Sequence, residues 1–179
     1  MGYISEILLL ILCGAAAVYD IKTMKVPNFI TFTGVAGGIA VSLLPGSPLS
    51  PGAAVLGMMM PVLLLLPLFL CSMMGAGDIK LFMAAGCFLG PYRVINVMIL
   101  SILAAGIASM VRILRFGLLR ERFTVFFNYL QSLRAGTGAV RYIDKDEIRG
   151  GEKWLLCFSV YIFAGAAAET ILQAVIASN

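Results

Sequence analysis

The chain has 179 residues, of which 61% are hydrophobic and only 12% charged, with a mean hydropathy of +1.00. A chain of this composition would expose large apolar patches as a soluble domain, so the bilayer is its expected solvent. The formal charge of +4 is small and implies no nucleic-acid partner, and the absence of histidine removes the commonest general base and metal ligand. Zinc-protease, serine-triad and Cys-His chemistries are therefore disfavoured.

In chain order, six hydrophobic segments stand out, at roughly 3–19, 28–44, 52–74, 79–90, 93–114 and 154–176. About 20 apolar residues are needed to cross the hydrocarbon core as a helix, a length that the third, fifth and sixth segments reach comfortably. The expected fold is all-α and polytopic, with about six transmembrane helices in a single membrane-embedded domain spanning 1–179. The first segment has no basic flank before it, and Asp20-Ile21-Lys22 does not resemble a small-residue cleavage site, so it is expected to remain as a span. The fourth segment ends at Gly90-Pro91 after about a dozen apolar residues, which is too short to span alone. A half-length helix is tolerated where protein or a wet cavity surrounds it, so this segment is expected to be internal.

Two carboxylates border these segments. Asp20 closes the first, in Tyr19-Asp20-Ile21-Lys22, and Asp78 opens the fourth, in Gly75-Ala76-Gly77-Asp78-Ile79-Lys80. Ionisable groups at membrane depth are costly and mark function by default. The basic residues set an orientation: Lys22 and Lys25 lie in the first loop, Lys80 by the third, and nine more run from Arg112 to Lys153, whereas the intervening turns hold only Arg93. The positive-inside rule then puts the odd loops in the cytoplasm and both termini outside. Asp20 and Asp78 would share the cytoplasmic side at similar depth, where they could meet.

The four cysteines, Cys13, Cys71, Cys87 and Cys157, lie within apolar runs without C-x-x-C spacing and read as small core hydrophobes, so no metal site and no cofactor is expected. Residues 115–153 form the one sizeable non-membrane stretch. Within it, Phe116 to Leu133 mixes aromatic and basic residues as an interfacial helix does, or as a solvated positive-inside loop.

Asp20 followed by Pro27-Asn28, with Gly75-Ala76-Gly77-Asp78-Ile79-Lys80 further on, resembles the type IV prepilin peptidases, polytopic aspartyl proteases of the G-x-G-D type. The resemblance implies that Asp20 and Asp78 are the catalytic pair, with Gly75, Gly77, Lys80, Pro27 and Asn28 as motif support. It implies a membrane aspartic endopeptidase that cuts the leader from prepilin-like precursors at the cytoplasmic face, in a bacterial inner membrane or an archaeal cell membrane. The expected partners are such precursors and the lipid bilayer, with a homo-oligomer left open. The cysteine-rich insert and N-methyltransferase activity of the large bifunctional members have no counterpart here, so the chain looks like the short, peptidase-only form of Tad/Flp-type pilus systems or like archaeal preflagellin peptidases. The stretch Phe158-Ser159-Val160-Tyr161-Ile162-Phe163-Ala164-Gly165 lacks the prolines that many members carry there.

Two close carboxylates in a low dielectric hold a single proton between them, so one can take a proton from water while the other polarises a carbonyl. The glycines would allow close backbone approach and unusual dihedral angles beside Asp78. Alternatively, Asp78 is a helix cap and the glycines are loop punctuation, and Lys80 either tunes the pair or snorkels to headgroups. Presenilin-like intramembrane proteolysis, a proton-conducting membrane protein using the same two acids, and an inactive assembly scaffold are the competing functions.

Overall fold

The computed structural model describes residues 2–23, 26–71, 74–116 and 157–178. Among these residues there are five helices and no strand: α1 (Gly2–Thr23), α2 (Asn28–Ser42), α3 (Pro51–Leu70), α4 (Ala76–Phe116) and α5 (Phe158–Ser178). All but α2 are long and apolar enough to cross a membrane. The expected interfacial helix or solvated loop of the 115–153 stretch lies almost wholly outside the described residues.

Local chemistry fixes the helix ends. Pro27 is extended, at φ −68° and ψ 136°, and its carbonyl accepts the Ile30 amide at 3.1 Å, so α2 starts immediately behind it. Ser50 accepts the Ala53 amide at 3.3 Å and Pro51 takes the first helical position of α3, where a missing N–H costs nothing. That helix ends at Leu70, earlier than the hydrophobic run that extends to residue 74, and α4 begins at Ala76.

Within α4, Gly90 sits at φ 79° and ψ 177°, a backbone that only glycine adopts without strain, and Pro91 follows it. The element therefore consists of a short arm up to Leu89 and a long arm from Pro91, matching the fourth and fifth apolar segments. Contacts give the direction of each arm. Lys80, near the start of the short arm, meets Asn28, while Arg93, just past the break, pairs with Glu6 and Glu169. Arg112, near the end of the long arm, acts electrostatically on Cys157, whose thiol lies against the Asp20 carbonyl. The long arm thus returns toward the end from which the short arm set out.

The short arm is the centre of the bundle. Leu81, Phe82, Ala84 and Ala85 are fully buried, and Cys87, Phe88 and Leu89 nearly so. They pack with Leu9, Cys13 and Ala16 of α1, Ile30 of α2, Leu65 of α3 and Ile162 and Ala166 of α5. Small residues let the backbones touch: a Cβ on Gly57 of α3 would collide with the Gly86 carbonyl, and one on Gly86 would collide with that of Gly57. Between apolar helices in lipid, such close approach is the main source of association, because burial of apolar surface gains little there. Outward, side chains such as Ile11, Phe32, Leu63, Ile107 and Ile171 are exposed, as befits faces solvated by acyl chains.

The bundle has two polar ends. Asp20, Asn28, Asp78, Lys80, Arg112 and Cys157 gather at one, and Glu6, Arg93 and Glu169 at the other.

Candidate active site

Asp20 occupies the last turn of α1 and is 8% exposed. A carboxylate buried to this degree requires donors, and one comes from across the bundle: the Ser159 hydroxyl, in the first turn of α5, lies 2.5 Å from Asp20 Oδ2. Cys157, one residue before α5, places its sulfur 3.8 Å from the Asp20 carbonyl oxygen as a weak S–H donor. Burial and the nearby Asp20 charge push the Cys157 thiol above its ordinary range, with Arg112 acting in the opposite direction, so the thiol form is favoured.

Asp78 is the third residue of α4. Its amide donates to the Gly75 carbonyl at 3.2 Å, and the Gly75 amide faces its carboxylate, an arrangement akin to half of a capping box. Asp20 is near enough to exert a Coulombic influence on Asp78. The two acids, far apart in sequence, thus lie near enough at one end of the bundle for one charge to act on the other.

The motif glycines behave differently from expectation. Gly75 is crowded by its own aspartate, since a Cβ there would come 3.2 Å from Asp78 Oδ2. Gly77 faces Val26 at an ordinary contact distance of 3.5 Å for an added Cβ. Neither takes a positive φ; among the described residues that conformation belongs to Gly46 and Gly90. The expected unusual dihedrals beside Asp78 are absent because the helix begins at Ala76 and already encloses Gly77 in regular geometry.

Lys80 turns to α2 and donates from Nζ to Asn28 Oδ1 at 2.9 Å. This bond ties the residue behind Pro27 to the G-x-G-D-x-K turn, and joins the two halves of the motif across a loop. Beneath the site, Phe82 of α4 and Phe158 of α5 meet edge to face, with centroids 6.1 Å apart and planes at 65°. That contact locks together the helices that carry Asp78 and Ser159.

Sequence reasoning missed Ser159 and Cys157 as members of this end, whereas Arg112 was among the basic residues expected on the aspartates' side. Cys157 read as a core hydrophobe, which describes the buried Cys13 and Cys87 but not the half-buried Cys157. The one available signal was a polar hydroxyl in the first turn of the last apolar segment. Among the described residues no cluster of three or more His, Cys, Asp or Glu side chains is arranged to hold a metal.

The sequence model of the type IV leader peptidase family matches residues 7–110, more than half of the chain, a stretch holding both aspartates, the Pro27-Asn28 pair, the short arm of α4, its break and most of the long arm. No curated protein and no solved structure matches. With its two acids drawn together within that matched stretch, the chain belongs to the type IV leader peptidase family.

Proposed function

We propose that the chain is a multi-pass membrane aspartic endopeptidase that removes the leader from prepilin-like precursors at the cytoplasmic face. The observation that supports the reading is that Asp20 lies close enough to Asp78 for its charge to act on it, within the stretch that matches the leader peptidase family. Two like charges side by side in a poorly solvated site cannot both ionise cheaply, so the pair shares one proton. The ionised member accepts a proton from the attacking water, and the protonated member donates to the scissile carbonyl.

Orientation is supported by charge. Lys22, Lys80, Arg112 and Arg115 belong to the aspartate end, and Arg93 to the opposite one. With the positive-inside rule this turns the aspartates toward the cytoplasm, where a leader is accessible before its basic residues would have to cross the bilayer. The membrane is the bacterial inner membrane or the archaeal cell membrane, and a pilin-type precursor with an apolar segment behind its leader is the substrate class.

The test is processing of a purified prepilin by the protein in detergent or proteoliposomes. Asp20→Asn and Asp78→Asn should each abolish cleavage while the protein still inserts and purifies normally, because an amide cannot exchange the shared proton. Substantial turnover by either variant refutes the aspartic mechanism.

A further inference from the structure

Hydroxyls on helices in apolar surroundings normally turn back on their own backbone. Thr31, Ser42, Ser101 and Thr170 all do so, each donating to a carbonyl three or four residues earlier. Ser159 is different. It is the second residue of α5, where the preceding carbonyls precede the helix, and its hydroxyl reaches instead to Asp20 Oδ2 on α1. Ser159 itself is fully buried, so the contact excludes water and is directed.

We propose that Ser159 is the positioning residue that orients Asp20 and keeps it as the ionised member of the pair, making Asp20 the base and Asp78 the acid. The inference rests on the aspartic peptidase reading above. A hydroxyl donating to a buried carboxylate favours its charged form. Helix ends do not decide the matter, because Asp78 sits in the first turn of α4 while Asp20 faces the first turn of α5, and both benefit from an N-terminal dipole. The cross-bundle hydroxyl is the difference. Among the described residues, the titratable and charged groups on other elements around Asp20 include Asp78 on α4, Cys157 ahead of α5, and Arg112, which acts on Cys157.

The step balances without a co-reactant. A water O–H bond breaks, its proton goes to Asp20, and the water oxygen bonds to the scissile carbonyl carbon. The carbonyl π pair moves onto its oxygen, which takes the proton from Asp78. On collapse the C–N bond breaks with its electron pair on nitrogen, which receives the proton held by Asp20. One hydroxyl returns its proton to Asp78 as the new C=O forms, leaving an acid and an amine.

The experiment measures kcat, KM and the pH–rate profile of prepilin cleavage for the wild type, Ser159→Ala and Ser159→Thr, with thermal unfolding in detergent alongside. A hydrogen bond to a charged group accounts for about 10- to 100-fold, so Ser159→Ala should lower kcat by that factor with KM changed less than about twofold. The acid limb of its pH–rate profile should move to higher pH, because the hydroxyl that favours the charged carboxylate is gone. Ser159→Thr, which keeps the hydroxyl, should return kcat to within about threefold of wild type and restore the acid limb. An unchanged acid limb in Ser159→Ala, or equal impairment of Ala and Thr variants, overturns the assignment. If Asp20→Asn and Asp78→Asn are inactive in the same preparations while Ser159→Ala behaves as wild type, this inference alone fails; activity in either Asn variant removes the reading beneath it.

Discussion

Arg93→Met probes the polar end opposite the aspartates. Arg93 Nη2 lies 2.8 Å from Glu6 Oε1, paired in charge but not aligned as a hydrogen bond, and its Nε donates to Glu169 Oε1 at 3.4 Å. Glu169 is fully buried and also accepts from Gln173 Nε2 at 3.1 Å, but its second oxygen has no hydrogen-bond partner among the described residues. The two pairs are not equivalent: the Glu6 side chain is 18% exposed and that of Glu169 not at all. A partly solvated pair contributes about 0–1 kcal/mol, whereas removing one member of a desolvated pair costs about 3–5 kcal/mol by leaving the other charge buried. Arg93→Met should therefore destabilise by about 3–5 kcal/mol, and Glu6→Gln by no more than about 1 kcal/mol. Replacing both partners of a buried ion pair by apolar residues is often neutral, and here Glu169 is the fully buried member, so adding Glu169→Leu to Arg93→Met should recover most of the loss. Equilibrium unfolding in mixed micelles by circular dichroism measures all four proteins. A cost below about 1 kcal/mol for Arg93→Met, or a double variant weaker than the single one, refutes the view that Glu169 is held by Arg93 away from solvent.

Other consequences are quickly stated. Gly57→Val should prevent native packing of α3 on α4, since even a Cβ there meets the Gly86 carbonyl; loss of the folded species in detergent gel filtration checks it. Lys80→Met removes an exposed bond to Asn28, so stability should fall by less than about 1 kcal/mol, with cleavage kinetics as the second readout. Cysteines introduced at Lys22 and Ser47, in a background without the four native ones, should be labelled by an impermeant reagent from opposite sides of the membrane. Thiol alkylation of the native protein should leave cleavage intact, because Cys13 and Cys87 are buried and Cys157 holds its proton; inactivation that Cys157→Ala prevents would contradict this.

The fold was legible where residue type alone dictates geometry. Gly90-Pro91 announces a break, because proline removes a donor and only glycine accepts the required φ, and the apolar run before it is too short to stand in lipid. The internal placement of the short arm follows from that shortness. Loop lysines and arginines led to the expectation that Asp20 and Asp78 share one side. What the sequence withheld were contacts between helices distant in sequence. Ser159 is one hydroxyl among many, and nothing local says that it abandons its own helix for α1. Arg93 was visible as the single basic residue in the turns away from the aspartates, but its partners Glu6 and Glu169 come from the two ends of the chain. Gly77 misled in the other direction: a motif glycine invites a conformational reading, and the chain simply winds it into a helix.

These contacts between distant helices also explain how a bundle with such uniform apolar faces keeps one register. In lipid, an apolar helix gains little by turning one apolar side rather than another toward its neighbour, so rotation and sliding must be fixed by close small-residue contacts and polar pairs. Here α1, α4 and α5 each carry a member of both polar ends: Glu6 and Asp20, Arg93 and Asp78, Glu169 and Ser159. Anchoring each helix at two points along its length removes the freedom to slide by a turn, about 5.4 Å, a shift that would carry Ser159 out of reach of Asp20. The charges remote from the aspartates therefore serve the same end as the aromatic contact between Phe82 and Phe158, which is to hold the helices that carry Asp20 and Asp78 in one register.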